Sequence, residues 1–139
     1  MKDFFVLPEK NILRENILNS GDIITSVIVP SLPKNTSSAY IKVKERGAWD
    51  FAIVSIAAVI QNSGTMIQSG KIAFGGVAPI PWLDEKLSSR LKNLPVSKQN
   101  LRLLQDDVLT DADPLAQNSY KHTLAKNLTT RILENLTTI

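Results

Sequence analysis

The stretch IKVKERGAWDFAIVSIAAVI, residues 41 to 60, sets two unlike strands end to end. In its first part cations alternate with apolar residues, and in its second apolar residues stand on every side. Taken back to Ser38, the period is two. Tyr40, Lys42, Lys44 and Arg46 share one face, and Ala39, Ile41 and Val43 share the other. This predicts a strand over 38–46 with one cationic and one apolar face, broken at Gly47. The run that follows, Phe51 to Ile60, predicts a central strand covered on both sides.

The flanks extend the pattern. IITSVIVP is rich in β-branched residues and predicts a strand over 23–29, stopped by Pro30; the polar stretch from Leu7 to Asp22 before it reads as a loop with a short helical turn. QNSG, 61–64, is a hairpin signal, and TMIQSGKIAFGGV predicts a further strand over 65–75 ending at Gly75-Gly76. The segments 23–29, 38–46, 51–61 and 65–75 are expected to pair as one antiparallel sheet. Beyond Pro81 the period lengthens. Leu83, Leu87, Leu91 and Leu94 lie at helical spacing, then Leu101, Leu104 and Val108. Tyr120, Leu124, Leu128 and Ile132 form a third stripe, with Asp113-Pro114 as a candidate cap and first turn. Strands first and helices second define an α+β fold, the helices packed on one face of a small antiparallel sheet.

At 139 residues the chain is expected to be a single domain. Its net charge of +3 is spread along the sequence, which argues against nucleic acid as a partner. Cysteine is absent, which excludes disulfides, thiolate nucleophiles and thiolate-held metals within the chain and suits a reducing, cytoplasmic compartment. His122 is the sole histidine, in a helical pattern, and is read as structural. The opening MKDFFVLPEK has no long apolar core of a signal peptide, and 51–60 is too short to cross a bilayer, so no membrane partner is expected. The N-x-S/T matches at Asn35, Asn127 and Asn135 are read as chance.

Three stretches could carry chemistry. Along a strand Lys42, Lys44 and Arg46 would stand roughly 6.5–7 Å apart, forming either a solvated face or a wall turned toward an anion or an electron-rich ring. Asp50 follows Arg46 by four residues across a glycine, so the two can pair and staple a bend; Trp49 between them offers a flat surface for a ring, or core. Gly75-Gly76 reads as a bulge or a close backbone approach. No G-x-G-x-x-G or P-loop occurs, and the aspartates of 106–113 read as helix-end charge rather than a metal site. No nucleophile–base pair can be assembled, so the isolated chain is not expected to be catalytic.

The ordered set DFFVLPEKNIL, GDIITSVIVP, AYIKVKERGAWDFAIVSIAAVI, KIAFGGVAPIP and DPLAQNSYKHTLA closely resembles one family. It is the C-terminal domain of the FAD-binding (medium) subunit of the molybdenum hydroxylases, which include xanthine dehydrogenase and carbon monoxide dehydrogenase. The resemblance runs from Asp3 to about Leu136. It implies a sheet of three or four antiparallel strands with about three helices. It places R-x-x-x-D-F-A-x-V, here Arg46, Asp50, Phe51, Ala52 and Val54, beside the flavin. The positions matching the family's FAD-contacting lysine and aliphatic residue are Lys42 and Ile24. Trp49 stands where some relatives carry a second acidic residue next to the flavin ring, and Lys121 replaces the arginine that usually follows Tyr120.

The resemblance further implies that FAD is shared with an N-terminal domain carrying the phosphate-binding glycine loops. This chain begins at the DFF segment and is expected to lack that domain and to hold no flavin tightly alone. The parent enzyme is expected to include a molybdopterin-containing large subunit and a 2Fe-2S subunit. Electrons would pass from molybdenum through iron–sulfur clusters to FAD, then to NAD or another acceptor. The alternative is a stand-alone interaction module whose basic sheet face binds an acidic protein or nucleic acid.

Overall fold

Three strands form a meander because their apolar residues recur every second position and two short connections return the chain. In the computed structural model, which describes residues 4–137, β1 (Thr36–Val43), β2 (Val54–Ser63) and β3 (Met66–Gly75) pair antiparallel in chain order. Asp3, where the family resemblance begins, lies outside the described residues. Gly64, at φ 57, lets the β2–β3 hairpin close in two residues. Two short strands then cap the far edge of β3. β4 (Trp82–Leu83) pairs with Ala73 and Phe74, and β5 (Leu94–Pro95) pairs with Met66 and Ile67. β1 is left as the open edge.

Helices cover one face, as expected. α1 (Glu85–Arg90), α2 (Lys98–Leu103), a 3-10 turn over Leu104–Asp107 and α3 (Ser119–Thr137) enclose the core with the sheet. Val54, Ile56, Ala58 and Ile60 of β2 and Ile67, Ile72 and Phe74 of β3 are buried there with Leu87, Leu91, Leu101, Leu128, Ile132 and Leu133. Each large side chain so buried contributes roughly 1.5–3 kcal/mol. Ala39, Ile41 and Val43 pack against the margin of this cluster, which confirms the apolar face assigned to β1.

Asp84 ties the layers together. It is only 5% exposed. One carboxylate oxygen caps α1 by accepting from the Leu87 amide at 2.9 Å, and the other accepts from the Leu109 amide at 2.8 Å. Its own amide donates to the Ile72 carbonyl of β3 at 3.0 Å. His122 is half-buried, with Nε2 2.8 Å from the Val108 carbonyl, a structural role as anticipated.

Five expectations require correction. The run Leu83, Leu87, Leu91 and Leu94 is helical only over Glu85–Arg90, because Leu83 and Leu94 are taken into β4 and β5 by pairing with β3. Residues 23–29 form no strand: they have no ladder partner, and Ile23 and Ile28 are 83% and 88% exposed. Ile24 therefore lies in an extended loop. β-branched residues fit a pleated surface, but a strand exists only where an edge pairs with it. β1 stops at Val43 rather than Arg46, because the Asp50 carboxylate captures the amides of Glu45 and Arg46 that a strand would give to its ladder. β2 begins at Val54 rather than Phe51 and is covered by helices on one face only; on the other Ala57 is exposed while Ser55 is buried. α3 begins at Ser119, not at Asp113-Pro114, because the chain first makes a turn closed by the Asn118 amide on the Leu115 carbonyl at 2.8 Å.

Candidate functional site

The sheet face away from the helices is built in rows across three strands. The register aligns Ser38, Val59 and Lys71 in one row, Tyr40, Ala57 and Ala73 in the next, and Lys42, Ser55 and Gly75 in the third. Its centre, Ser55, Ala57, Ala73 and Gly75, carries almost no side-chain relief. A Cβ added to Gly75 would stand 2.6 Å from the Ser55 hydroxyl, so glycine there keeps the floor low. Strands lie about 4.8 Å apart and same-face residues about 6.5–7 Å apart, so this floor is flat and has a tyrosine and a lysine at its rim. A cleft of about 600 Å³, bordered by Phe5, Leu7, Trp82 and Lys86, reaches Ala73 from the other side.

The loop between β1 and β2 is drawn to the Lys42 end of that face. Lys42 Nζ donates to the Asp50 carbonyl at 2.7 Å, which leaves the ammonium further donor capacity. The Asp50 carboxylate accepts from the Arg46 amide at 2.9 Å and the Glu45 amide at 3.2 Å, and lies 3.9 Å from the Arg46 guanidinium. Lys44 turns to the Gly47 carbonyl. The stapled bend read from the sequence is thus present, while the three-cation ladder is not: Lys42 alone of the three remains on β1. Trp49, held at φ 50, is 99% exposed, and Phe51 is 93% exposed. Neither is core.

Behind the loop, the close approach at Gly75-Gly76 is real. Gly76 has φ 77, and a Cβ there would lie 2.7 Å from the Ile53 carbonyl and 2.8 Å from that of Ala52. Lys121 of α3 donates to the Gly76 carbonyl at 2.9 Å. The lysine that replaces the family's arginine therefore anchors this corner.

Among the residues predicted for the site, Lys42 on β1 and Arg46, Trp49 and Asp50 in the loop after it come together at one end of the flat face. Ile24 lies apart in sequence, 56% exposed in the upstream loop. The sequence reading missed Ser55, Ala57 and Ala73, and took Gly75 for a bulge or close approach rather than part of a floor. Their signal was small residues at alternate positions of two neighbouring strands, hidden because alanine counts as apolar on either face.

An antiparallel meander with helices on one face, a flat second face and a stapled loop at its rim defines an α+β domain. The chain belongs to the CO dehydrogenase flavoprotein C-terminal domain family, whose model matches residues 38–136. It is similar to the FAD-binding subunit PaoB of the Escherichia coli (strain K12) aldehyde oxidoreductase, with 35% identity over 133 residues, 96% of this chain and 38% of that protein. It is also 25% identical over 121 residues to the putative xanthine dehydrogenase FAD-binding subunit XdhB of the same strain, covering 84% of this chain and 41% of that one. Among solved structures, carbon monoxide dehydrogenase from Hydrogenophaga pseudoflava matches with a TM-score of 0.69 and 25% identity, over 76% of this chain and 38% of that one. The chain thus spans about two-fifths of the length of these relatives.

The residues present fit the ring portion of FAD: a low, flat floor admits a planar system, and a lysine at its rim offers positive charge.

Proposed function

We propose that this chain is the flavin-covering part of an FAD-binding subunit in a molybdenum hydroxylase-type oxidoreductase. The observation that carries this reading is the flat, helix-free face with Lys42 and the Asp50-stapled loop at one end. When bound, FAD supplies the electron transfer between reduced centres and an acceptor. The chain's own residues exclude water from the ring and place positive charge beside it. Lys42 acts as the cation, Trp49 as a flat apolar neighbour, Asp50 and Arg46 as the residues that fix the loop, and Ile24 as an aliphatic contact from the upstream segment.

On this reading the phosphates are held by an N-terminal FAD domain, and the partners are a molybdopterin-containing large subunit and a 2Fe-2S subunit, in the cytoplasm. No described helix is long and apolar enough to cross a membrane. On the same reading the described residues form one domain that lends the flavin its surroundings rather than a catalytic group. Purified, it is expected to be colourless, and a stoichiometric yellow flavin in its absorption spectrum would overturn the division of roles.

The sharper test is a chimera in which this chain replaces the matching region of the E. coli aldehyde oxidoreductase subunit. Lys42→Ala is expected to weaken FAD retention by about tenfold or more, the worth of one hydrogen bond to a charged group. Lys44→Ala, whose ammonium turns back on its own loop, is expected to leave retention unchanged. Equal and negligible effects of the two substitutions on FAD dissociation would make this face a solvated strand.

A further inference from the structure

The loop that bears Trp49 and Asp50 is gripped from two sides. From β1, Lys42 donates to the Asp50 carbonyl, and the Val43 carbonyl accepts from the Ile53 amide at 2.8 Å. The bonds of Lys44 and of the Asp50 carboxylate stay within the loop and set its shape rather than its place. From the β3 side Gly76 lies against the returning stretch, close to the carbonyls of Ala52 and Ile53. Where Gly76 stands therefore decides how nearly that stretch can approach the end of β3.

Gly76 is exposed, has no side chain and sits at φ 77 just past the end of β3. A glycine peptide there turns freely unless something holds it. The holder comes from 45 residues along the chain: Lys121, in the first turn of α3, gives its ammonium to the Gly76 carbonyl at 2.9 Å. A bond from a charged donor is stronger than its neutral counterpart. The helix that carries it is itself fixed. His122 Nε2 lies 2.8 Å from the Val108 carbonyl, and Ala125, Leu128 and Ile132 are in the core. Lys121 is half-buried, beside Val77, Leu109 and Asn118 around a cavity of about 190 Å³, which restricts where its ammonium can go.

We infer that Lys121 is a positioning residue for the loop 44–53. By holding the Gly76 carbonyl it sets the attitude of Gly76 against Ala52 and Ile53, and through their backbone the place of Trp49 and Asp50 at the rim of the flat face. Its effect on flavin rests on the reading that this face covers FAD. Lys121 acts at one remove and touches no ring. The helical layer, packed on the opposite face of the sheet, thereby fixes the rim of the face it does not cover.

Lys121→Met tests this, because it keeps an apolar stem and removes the ammonium, while Lys121→Arg restores a charged donor. In the isolated chain Lys121→Met is expected to shift the amide resonances of 44–53 and the Trp49 indole, and Lys121→Arg to leave them near the parent positions. Lys126→Met, also in α3, is the control and is expected to move neither. In the chimera described above, Lys121→Met is expected to speed FAD dissociation about threefold, less than Lys42→Ala because it acts through the backbone. Lys121→Arg is expected to recover the parent rate. Resonances of 44–53 that stay in place in Lys121→Met overturn the inference and leave the lysine a staple between α3 and β3. So does FAD dissociation unchanged by Lys121→Met but hastened by Lys42→Ala, an outcome that keeps the flavin-covering role. Moved resonances with FAD dissociation indifferent to both substitutions support the positioning of the loop and remove the flavin-covering role instead.

Discussion

Replacing Asp84 by alanine is expected to lower the unfolding free energy by about 3–5 kcal/mol, a large part of the roughly 5–15 kcal/mol available to a domain. The carboxylate is buried and serves two donors, the Leu87 amide that opens α1 and the Leu109 amide after the 3-10 turn. Hydrogen bonds to a charged group contribute about 1.5–3 kcal/mol each, and here both are lost together. The Leu109 backbone, at φ 47, is an unfavourable conformation for leucine, and its amide bond to Asp84 helps to hold it there. Asp84→Asn keeps one acceptor and turns an NH2 group toward the other donor, so it is expected to cost less, about 1–2 kcal/mol. Urea denaturation of the three proteins checks the order. An alanine variant within 1 kcal/mol of the parent would show that these amides find other partners.

Gly76→Ala is the second substitution with a large expected effect, roughly 2–4 kcal/mol. Two costs combine. The φ of 77 is one that an L side chain adopts only with strain, about 1–2 kcal/mol. The new methyl also meets the carbonyls of Ile53 and Ala52 at 2.7 and 2.8 Å, which are backbone atoms and cannot swing aside. Gly64→Ala is the control: its φ of 57 carries the strain, but no atom lies within 4 Å, so about 1 kcal/mol is expected. Denaturation midpoints separate the two. Because Ala52 and Ile53 end the loop that carries Trp49 and Asp50, Gly76→Ala should also shift the amide resonances of that loop, and Gly64→Ala should not. Equal losses in the two variants would mean that the contact with 52–53 relaxes freely.

Much of this was open to reading before any coordinates. Alternation placed Ile41 and Val43 inward and Lys42 outward, and helical spacing placed Leu124, Leu128 and Ile132 of α3 against the core, though Tyr120, read in the same stripe, is 52% exposed. These are local periodicities, and a one-residue slip would turn a whole face the wrong way. Pairing of Arg46 with Asp50 was also legible, because four residues and a glycine can close a bend without help from elsewhere. The family followed from the order of its motifs, and the match over 38–136 bears it out.

What local pattern could not supply was the partner. The β-branched run 23–29 has the composition of a strand and no edge to pair with, while FAIVSIAAVI is apolar on both faces but covered by helices on one. Composition states what a segment tolerates; a ladder needs a second strand whose position depends on the whole chain. The end of β1 was decided the same way, by an Asp50 carboxylate that competes for the amides of Glu45 and Arg46. So was the flat floor of Ser55, Ala57, Ala73 and Gly75, which exists only once the register sets two strands side by side. The sequence by itself determined the fold class, the inward faces and the family. Tertiary structure alone decided where the strands stop and which apolar surfaces stay open, because both depend on contacts between residues far apart in the chain.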